Sequence, residues 1–301
     1  MGPHWGIDIA SDYIEGAVVA DAASAKTLRR MRIPTEQAGG YYHVLGQVHK
    51  LVEVLSADVG VRPDVIGVAH AGALDPVTKT LKATGVEHFD GKPLLSDLET
   101  YLGVPIRLAS AAHCLALAEV RLGVVPEVMP AARCIVGLRV DAEVGAGIVV
   151  NGRVLRGRQG IAGAWGHNFL DESGGRCACG RRGCTETLLS TRALEAFYAD
   201  ASGGRRATLR EIAELAAAHD DEAAARTIER LAYNFARAVG PVINLLDPDC
   251  IVVGGEASRV EALFTQGPDL IKRFVHNTRL DTLLLRPKLG RRATALGAAL
   301  L

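Results

Sequence analysis

The chain has 301 residues, 49% of them hydrophobic and 23% charged, the composition of an ordinary folded protein with room for one large or two medium domains. Lys plus Arg equals Asp plus Glu at 34 each, so no net field draws the chain to nucleic acid or to an anionic membrane. No run approaches 18 uninterrupted apolar residues, and MGPHWGIDIA lacks the basic and apolar regions of a signal, so the expected setting is the cytoplasm with reduced thiols.

The first predicted element is a β-hairpin, because WGIDIASDYIEGAVVADA places two apolar runs around a polar turn at Ser11-Asp12. Over residues 40–57, Val44, Leu45, Val48, Leu51, Val52 and Leu55 recur at helical spacing. DVIGVAHAGALDP reads as a buried strand ending in a Gly/Pro loop. A helix over about 95–102, a strand in VPIRLAS and a helix opening at AAHCLALAEVRLG come next. Near residue 130 the pattern restarts. ARCIVGLRVDAEVGAGIVVNGRVLRG gives strand, turn, strand, with Asn151-Gly152 a hairpin signal. A Gly-rich irregular segment precedes helices near 191–200, 207–218 and 221–246. DPDCIVVGGEAS then delivers Gly254-Gly255 to a loop, and TALGAALL closes the chain as a short helix. The doubled pattern predicts two α/β lobes with a cleft between them, one over 1–117 completed by the helix at 293–301, the other over 118–292.

The irregular segment holds RCACGRRGCTE, with Cys177, Cys179 and Cys184 within eight positions, while Cys114, Cys134 and Cys250 lie far apart. Thiolates so spaced hold a soft tetrahedral cation, and His167, ten residues upstream in GAWGHNFL, makes a Cys₃His set. Four protein ligands describe a closed, structural zinc site rather than a catalytic one. The other reading is a disulfide from Cys177 or Cys179 to Cys184, which suits small exported scaffolds better than a chain of this length.

The stretch GHNFLDESGGRCACGRRGCTE, with GIVVNGRVLRGRQGIAG before it and LDPDCIVVGG and ALGAAL near the end, resembles the ROK family of bacterial sugar kinases and repressors over nearly the whole chain. The resemblance implies the two-lobed actin/hexokinase-like (ribonuclease H-like) α/β fold, with an interlobe sugar cleft braced by a zinc loop at 167–184. It also implies sugar contacts from His167 and Glu186, a first-lobe loop at Ala71-Gly72, and nucleotide contacts near Gly254 and Gly255. Glu186 also reads as a helix-start carboxylate favoured by the dipole. The repressor branch adds an N-terminal helix-turn-helix, whereas this chain starts at the first hairpin, so no DNA binding is expected. The family is often dimeric or tetrameric, and a homo-oligomer is expected on that ground.

Where the family places its chemistry, this sequence departs. In LASAAHCLALAEV, Ser110, Ala111 and His113 stand where an N-D-A-N-like stretch carries Asn, the catalytic Asp and a second Asn. Ala111 cannot accept a proton, and losing a positioned base costs about 10²–10⁴ in rate. Ala164 in GAWGH replaces a sugar-contacting Glu. The first phosphate turn keeps Asp8 but holds Ala10, Ser11 and Asp12 where Gly-Gly-Thr is usual, and the second holds Asp141, Ala142 and Glu143 in place of Gly-Thr-Gly. Polyphosphate calls for free N–H donors and cations, and carboxylates reverse that sign.

Three functions remain open on the sequence. The first is a protein that binds a hexose, amino sugar or cyclitol through Gly72, Ser110, His113, His167 and Glu186, without conventional kinase activity. The second is a kinase using Mg and ATP with His113 as an unusual base, although His113 also reads as a locally bonded residue at a helix start. The third is a different enzyme that uses Asp8, Asp12, Asp141 and Glu143 as metal ligands or an acid/base pair; these acids also read as solvated turn residues.

Overall fold

A computed structural model of the protein describes residues 2–23, 26–86 and 88–301. Two compact units divide the chain. Met1–Pro130, Gly152–Ala162 and Arg291–Leu301 form the first; Ala131–Asn151 and Gly163–Gly290 form the second.

The first unit contains β1 (His4–Ile9), β2 (Tyr13–Val19), β3 (Thr27–Pro34), α1 (Tyr41–Val59), β4 (Ile66–His70), the small ribbon of β5 (Ala73–Leu74) and β6 (Leu81–Lys82), α2 (Leu94–Leu102), β7 (Ile106–Ser110), α3 (Ala111–Arg121) and α4 (Val125–Val128). Its sheet runs β3-β2-β1-β4-β7, antiparallel through the opening hairpin and parallel from β1 to β4 to β7. The apolar stripe of α1 is buried at all six positions that its spacing singled out. β3 has no apolar run to announce it. It is an edge strand whose Arg30 and Arg32 clasp Glu15 of β2, a carboxylate only 1% exposed. Charge on an edge strand also discourages pairing with another chain. α3 lies wholly in this unit, as does the segment Gly152–Ala162, whose place chain order alone did not indicate.

The second sheet begins with β8 (Cys134–Val140) and β9 (Val144–Val150); past Asn151 and Gly152, both at positive φ, lies β10 (Arg153–Val154). Then follow α5 (Glu186–Leu189), α6 (Thr191–Ala201), α7 (Leu209–Ala217), α8 (Glu222–Leu246), β11 (Cys250–Gly254), α9 (Ala262–Thr265), α10 (Gly267–Ile271) and β12 (Leu283–Leu285). Within the second unit the strands run β9-β8-β11-β12, over a core that includes Val136, Leu138, Leu231, Phe235 and Ile251. The last helix, α11 (Ala293–Ala299), belongs to the first unit and is buried along its whole length. It can lie so close to the sheet because a Cβ on Gly67 would stand 1.8 Å from the Ala298 carbonyl oxygen, and one on Gly6 would stand 2.0 Å from that of Ala295. Among the described residues no helix is long and apolar enough to cross a membrane.

Candidate functional site

In the second unit the chain between β9 and α5 folds back on itself. Phe169 bridges to Cys184 and Arg176 to Arg182, while Cys177 N–H donates to the Arg181 carbonyl at 2.8 Å. The reversal gathers His167, Cys177, Cys179 and Cys184, whose ligand atoms all lie within 4.8 Å of one another. A tetrahedral ion with zinc-like bond lengths separates its ligand atoms by about 3.6–3.8 Å. The Cys177 Sγ to His167 Nδ1 distance is 3.5 Å and Cys179 Sγ to Cys184 Sγ is 3.6 Å, so these two pairs stand near that spacing and the set could hold a metal ion. Burial, aided by the adjacent thiols, pushes the Cys184 thiol up to about 12, and a bound cation would be needed to hold it as a thiolate.

Glu186, at the start of α5, links this cluster to the turn between β8 and β9. One carboxylate oxygen accepts the Val144 N–H at 2.9 Å, and the other lies 3.9 Å from Cys177 Sγ. The turn is tied to the next helix as well. Thr191 N–H donates to the Asp141 carbonyl at 2.9 Å, and Arg192 reaches the Ala142 carbonyl at 3.4 Å. Within the turn, Asp141 N–H donates to the Glu143 carbonyl at 3.1 Å, and the Asp141 carboxylate accepts the Ala142 N–H at 3.1 Å. Arg139, at the end of β8, stands 3.3 Å from the Glu143 carboxylate and 3.9 Å from that of Asp141. The acidity expected of this turn is therefore partly offset locally. Burial, opposed by Arg139 and reinforced by the nearby charge of Glu186, still raises the Glu143 carboxyl above the usual range. Arg139 is also the register partner of Gly254, and Gly255 sits beside the end of β8, where a Cβ would stand 2.3 Å from the Val140 carbonyl oxygen. Ala164 begins the short turn Trp165–His167, which is anchored by Trp165 Nε1 on the Ala238 carbonyl at 2.8 Å.

The first unit places the remaining candidates. Asp8, 3% exposed, accepts from the Tyr13 hydroxyl at 3.4 Å, and the Arg32 guanidinium stacks on that tyrosine ring at 3.8 Å. Ser11 and Asp12 are exposed at the first turn, where Ala10 N–H is used by the Tyr13 carbonyl. Gly72 has φ 71°, and a Cβ there would stand 2.5 Å from the Lys82 carbonyl oxygen, so close backbone packing accounts for it. Ser110 caps α3, accepting the His113 N–H at 3.3 Å, and its hydroxyl lies 3.0 Å from His113 Nδ1. His113 is 6% exposed; burial, with help from the charges of Arg156 and His70, lowers it to about 4. Ala111 stands one residue past Ser110, and it is nearly buried.

A family model described as ROK family matches residues 4–301. The chain belongs to the ROK family. The N-acetyl-D-glucosamine kinase of Pasteurella multocida is 28% identical over 99% of this chain and 98% of its own. The ROK hexokinase of Thermus thermophilus is 30% identical, with a TM-score of 0.82 over 99% of this chain and 97% of its own. A ROK family glucokinase from Streptomyces griseus, solved with glucose and AMPPNP, has a TM-score of 0.84 at 22% identity over 99% and 98% of the two chains, a likeness of fold. The actin/hexokinase-like α/β fold is thus established for this ROK-family chain, together with a cysteine–histidine cluster able to hold a metal. Sequence reasoning did not single out Arg139, Tyr13 or Thr191, which decide how the altered turns are occupied. Arg139 could have been found, because it precedes two acids by two and four residues across a tight turn.

Proposed function

We propose that this ROK-family protein binds a hexose, amino sugar or cyclitol-like ligand beside a structural zinc site, and that it does not transfer phosphate from ATP in the manner of the sugar kinases it resembles. The observation that carries this reading is the β8–β9 turn. A phosphate-binding turn must offer free N–H donors. Here the Asp141 and Ala142 N–H groups are used within the turn, and that of Val144 is used by Glu186. The carboxylates of Asp141 and Glu143 engage the nearby cation, Arg139.

The sugar side of the proposal rests on His167 and Glu186, which stand together at the metal cluster; of the first-unit candidates, Ser110 and His113 are engaged with each other and Gly72 is accounted for by backbone packing. Zinc would be held by His167, Cys177, Cys179 and Cys184 and would contribute folding energy rather than chemistry. Two other functions fit less well. As a general base His113 would have to reach a sugar hydroxyl, but it is buried and Ser110 occupies its Nδ1. As an acid pair in a different reaction, Asp8 is covered by Tyr13 and Glu143 is paired with Arg139.

A thermal-shift panel of glucose, N-acetylglucosamine, N-acetylmannosamine and inositol, each with and without Mg-ATP, tests the reading. Stabilisation by at least one sugar, unaffected by Mg-ATP, is expected. Stabilisation that requires Mg-ATP, with phosphorylated product appearing, would replace it with the kinase.

A further inference from the structure

The longest helix of the second unit leaves one side uncovered. In α8, Arg226, Arg230, Tyr233, Arg237, Pro241 and Asn244 recur at helical spacing, within about 40° of Arg237 around the axis, and none of them is buried. Tyr233 is 46% exposed, and Leu245, at the end of the strip, is 84% exposed. A further apolar side chain, Phe169 at 66% exposed, comes from the loop of the metal cluster. Arg237 fastens that loop to the helix, donating to the Asp171 carboxylate and to the Leu170 carbonyl, both at 3.1 Å. Phe274 meets the Tyr233 ring edge-on with centroids 5.9 Å apart, and Asn244 holds the Phe274 carbonyl at 3.0 Å. Large apolar side chains gathered on one exposed face, with polar groups around them, mark an interaction surface.

The charges along the strip say what covers it. Arg226 and Arg230, towards its beginning, are in no ion pair among the described residues; Arg230 stacks on the Phe197 ring at 4.6 Å. The other end is negative. The last carbonyls of α8 have no partner inside the helix, and its C-cap, Asp247, is exposed and also outside any ion pair among the described residues. A strip that is positive at one end and negative at the other complements itself when reversed. Lay a second α8 antiparallel on the first, with Arg237 opposite Pro241. Tyr233 then falls opposite Leu245, and Arg230 comes beside Asp247, in both copies at once. One register thus joins apolar to apolar and cation to anion over a strip about 26 Å long.

We propose that this face of α8 receives a second copy of the chain, in an antiparallel two-fold pair. The inference goes beyond the ligand reading and does not depend on it.

The test is sedimentation of the full chain, purified without chelator, over about 1–100 µM protein. A dimer that dissociates on dilution is expected, with a dissociation constant of about 10 µM or tighter. Leu245→Glu alters a side chain that is 84% exposed, so folding is not at risk, and it should weaken association by at least about tenfold. Arg230→Glu and Asp247→Lys should each weaken it by about fivefold or more, because each sets like charges opposite one another. The double variant exchanges the two partners and should return to within about threefold of the wild type. Unchanged circular dichroism shows that each variant has folded. A monomer throughout the range, which leaves the face to a different partner, would overturn the inference. A dimer that Leu245→Glu leaves intact would do the same, and so would charge reversals that the double variant does not rescue.

Discussion

Glu186→Ala is the perturbation whose cost can be worked most directly from the geometry. Its carboxylate is the acceptor of the Val144 N–H at 2.9 Å, and Val144 is 5% exposed, so truncation leaves a buried donor unanswered. That costs about 1–3 kcal/mol. In a unit of roughly 150 residues each kcal/mol moves the midpoint by about 3 °C, so scanning calorimetry should find the second unit melting about 3–9 °C lower. The same carboxylate is proposed to hold a ligand hydroxyl, and its loss should weaken the sugar that stabilises the wild type by about 5–150-fold. Glu186→Gln separates the two effects. Its amide oxygen can still accept from Val144, so most of the midpoint should return, while the loss of charge still weakens the ligand. An Ala variant with unchanged midpoint and unchanged sugar affinity would refute both the hydrogen-bond argument and the assigned role.

Protein purified without chelator should carry about one equivalent of zinc by elemental analysis, and chelation should lower the second unit's midpoint because binding energy at a closed site is folding energy. Well under half an equivalent would count against the site. Ala111→Asp alone should give no ATP-dependent turnover, since a base accelerates transfer only where phosphate is already positioned; robust turnover would mean the altered turns are harmless. His113 should make the protein acid-sensitive. Its folded value of about 4 lies below the ordinary 6.5, so the unfolded chain binds the extra proton, and up to about 3 kcal/mol is lost as pH falls from 6.5 towards 4. Urea unfolding of His113→Asn should show a smaller loss over that window, and an equal loss would contradict the assignment.

The sequence made the periodic elements and the cysteine–histidine cluster readable because each obeys a local rule. The stripe of α1 repeats at the helical period, and C-x-C, a third Cys and an upstream His have ligand spacing whatever surrounds them. β3 was invisible because an edge strand needs no apolar alternation, and its arginines are explained only by Glu15 on the neighbouring strand. The altered turns were legible as departures but not in their consequence. Carboxylates at 141 and 143 read as unpaired negative charge until Arg139 is seen beside them, and Asp8 reads as a free metal ligand until Tyr13 folds over it. His113 read both as a possible base and as a locally bonded residue at a helix start; Ser110, three residues back, makes the local bond, and only the burial is a tertiary fact. Segment Gly152–Ala162 joins the first unit, and that too depends on contacts distant in the chain.

The central claim is that the β8–β9 turn has committed the N–H donors of Asp141, Ala142 and Val144 and no longer serves a nucleotide. Titration of the wild-type protein with Mg-ATP by isothermal calorimetry, in the presence of a stabilising sugar, tests it directly. Millimolar affinity or no measurable heat is the predicted result, and a micromolar dissociation constant would contradict it.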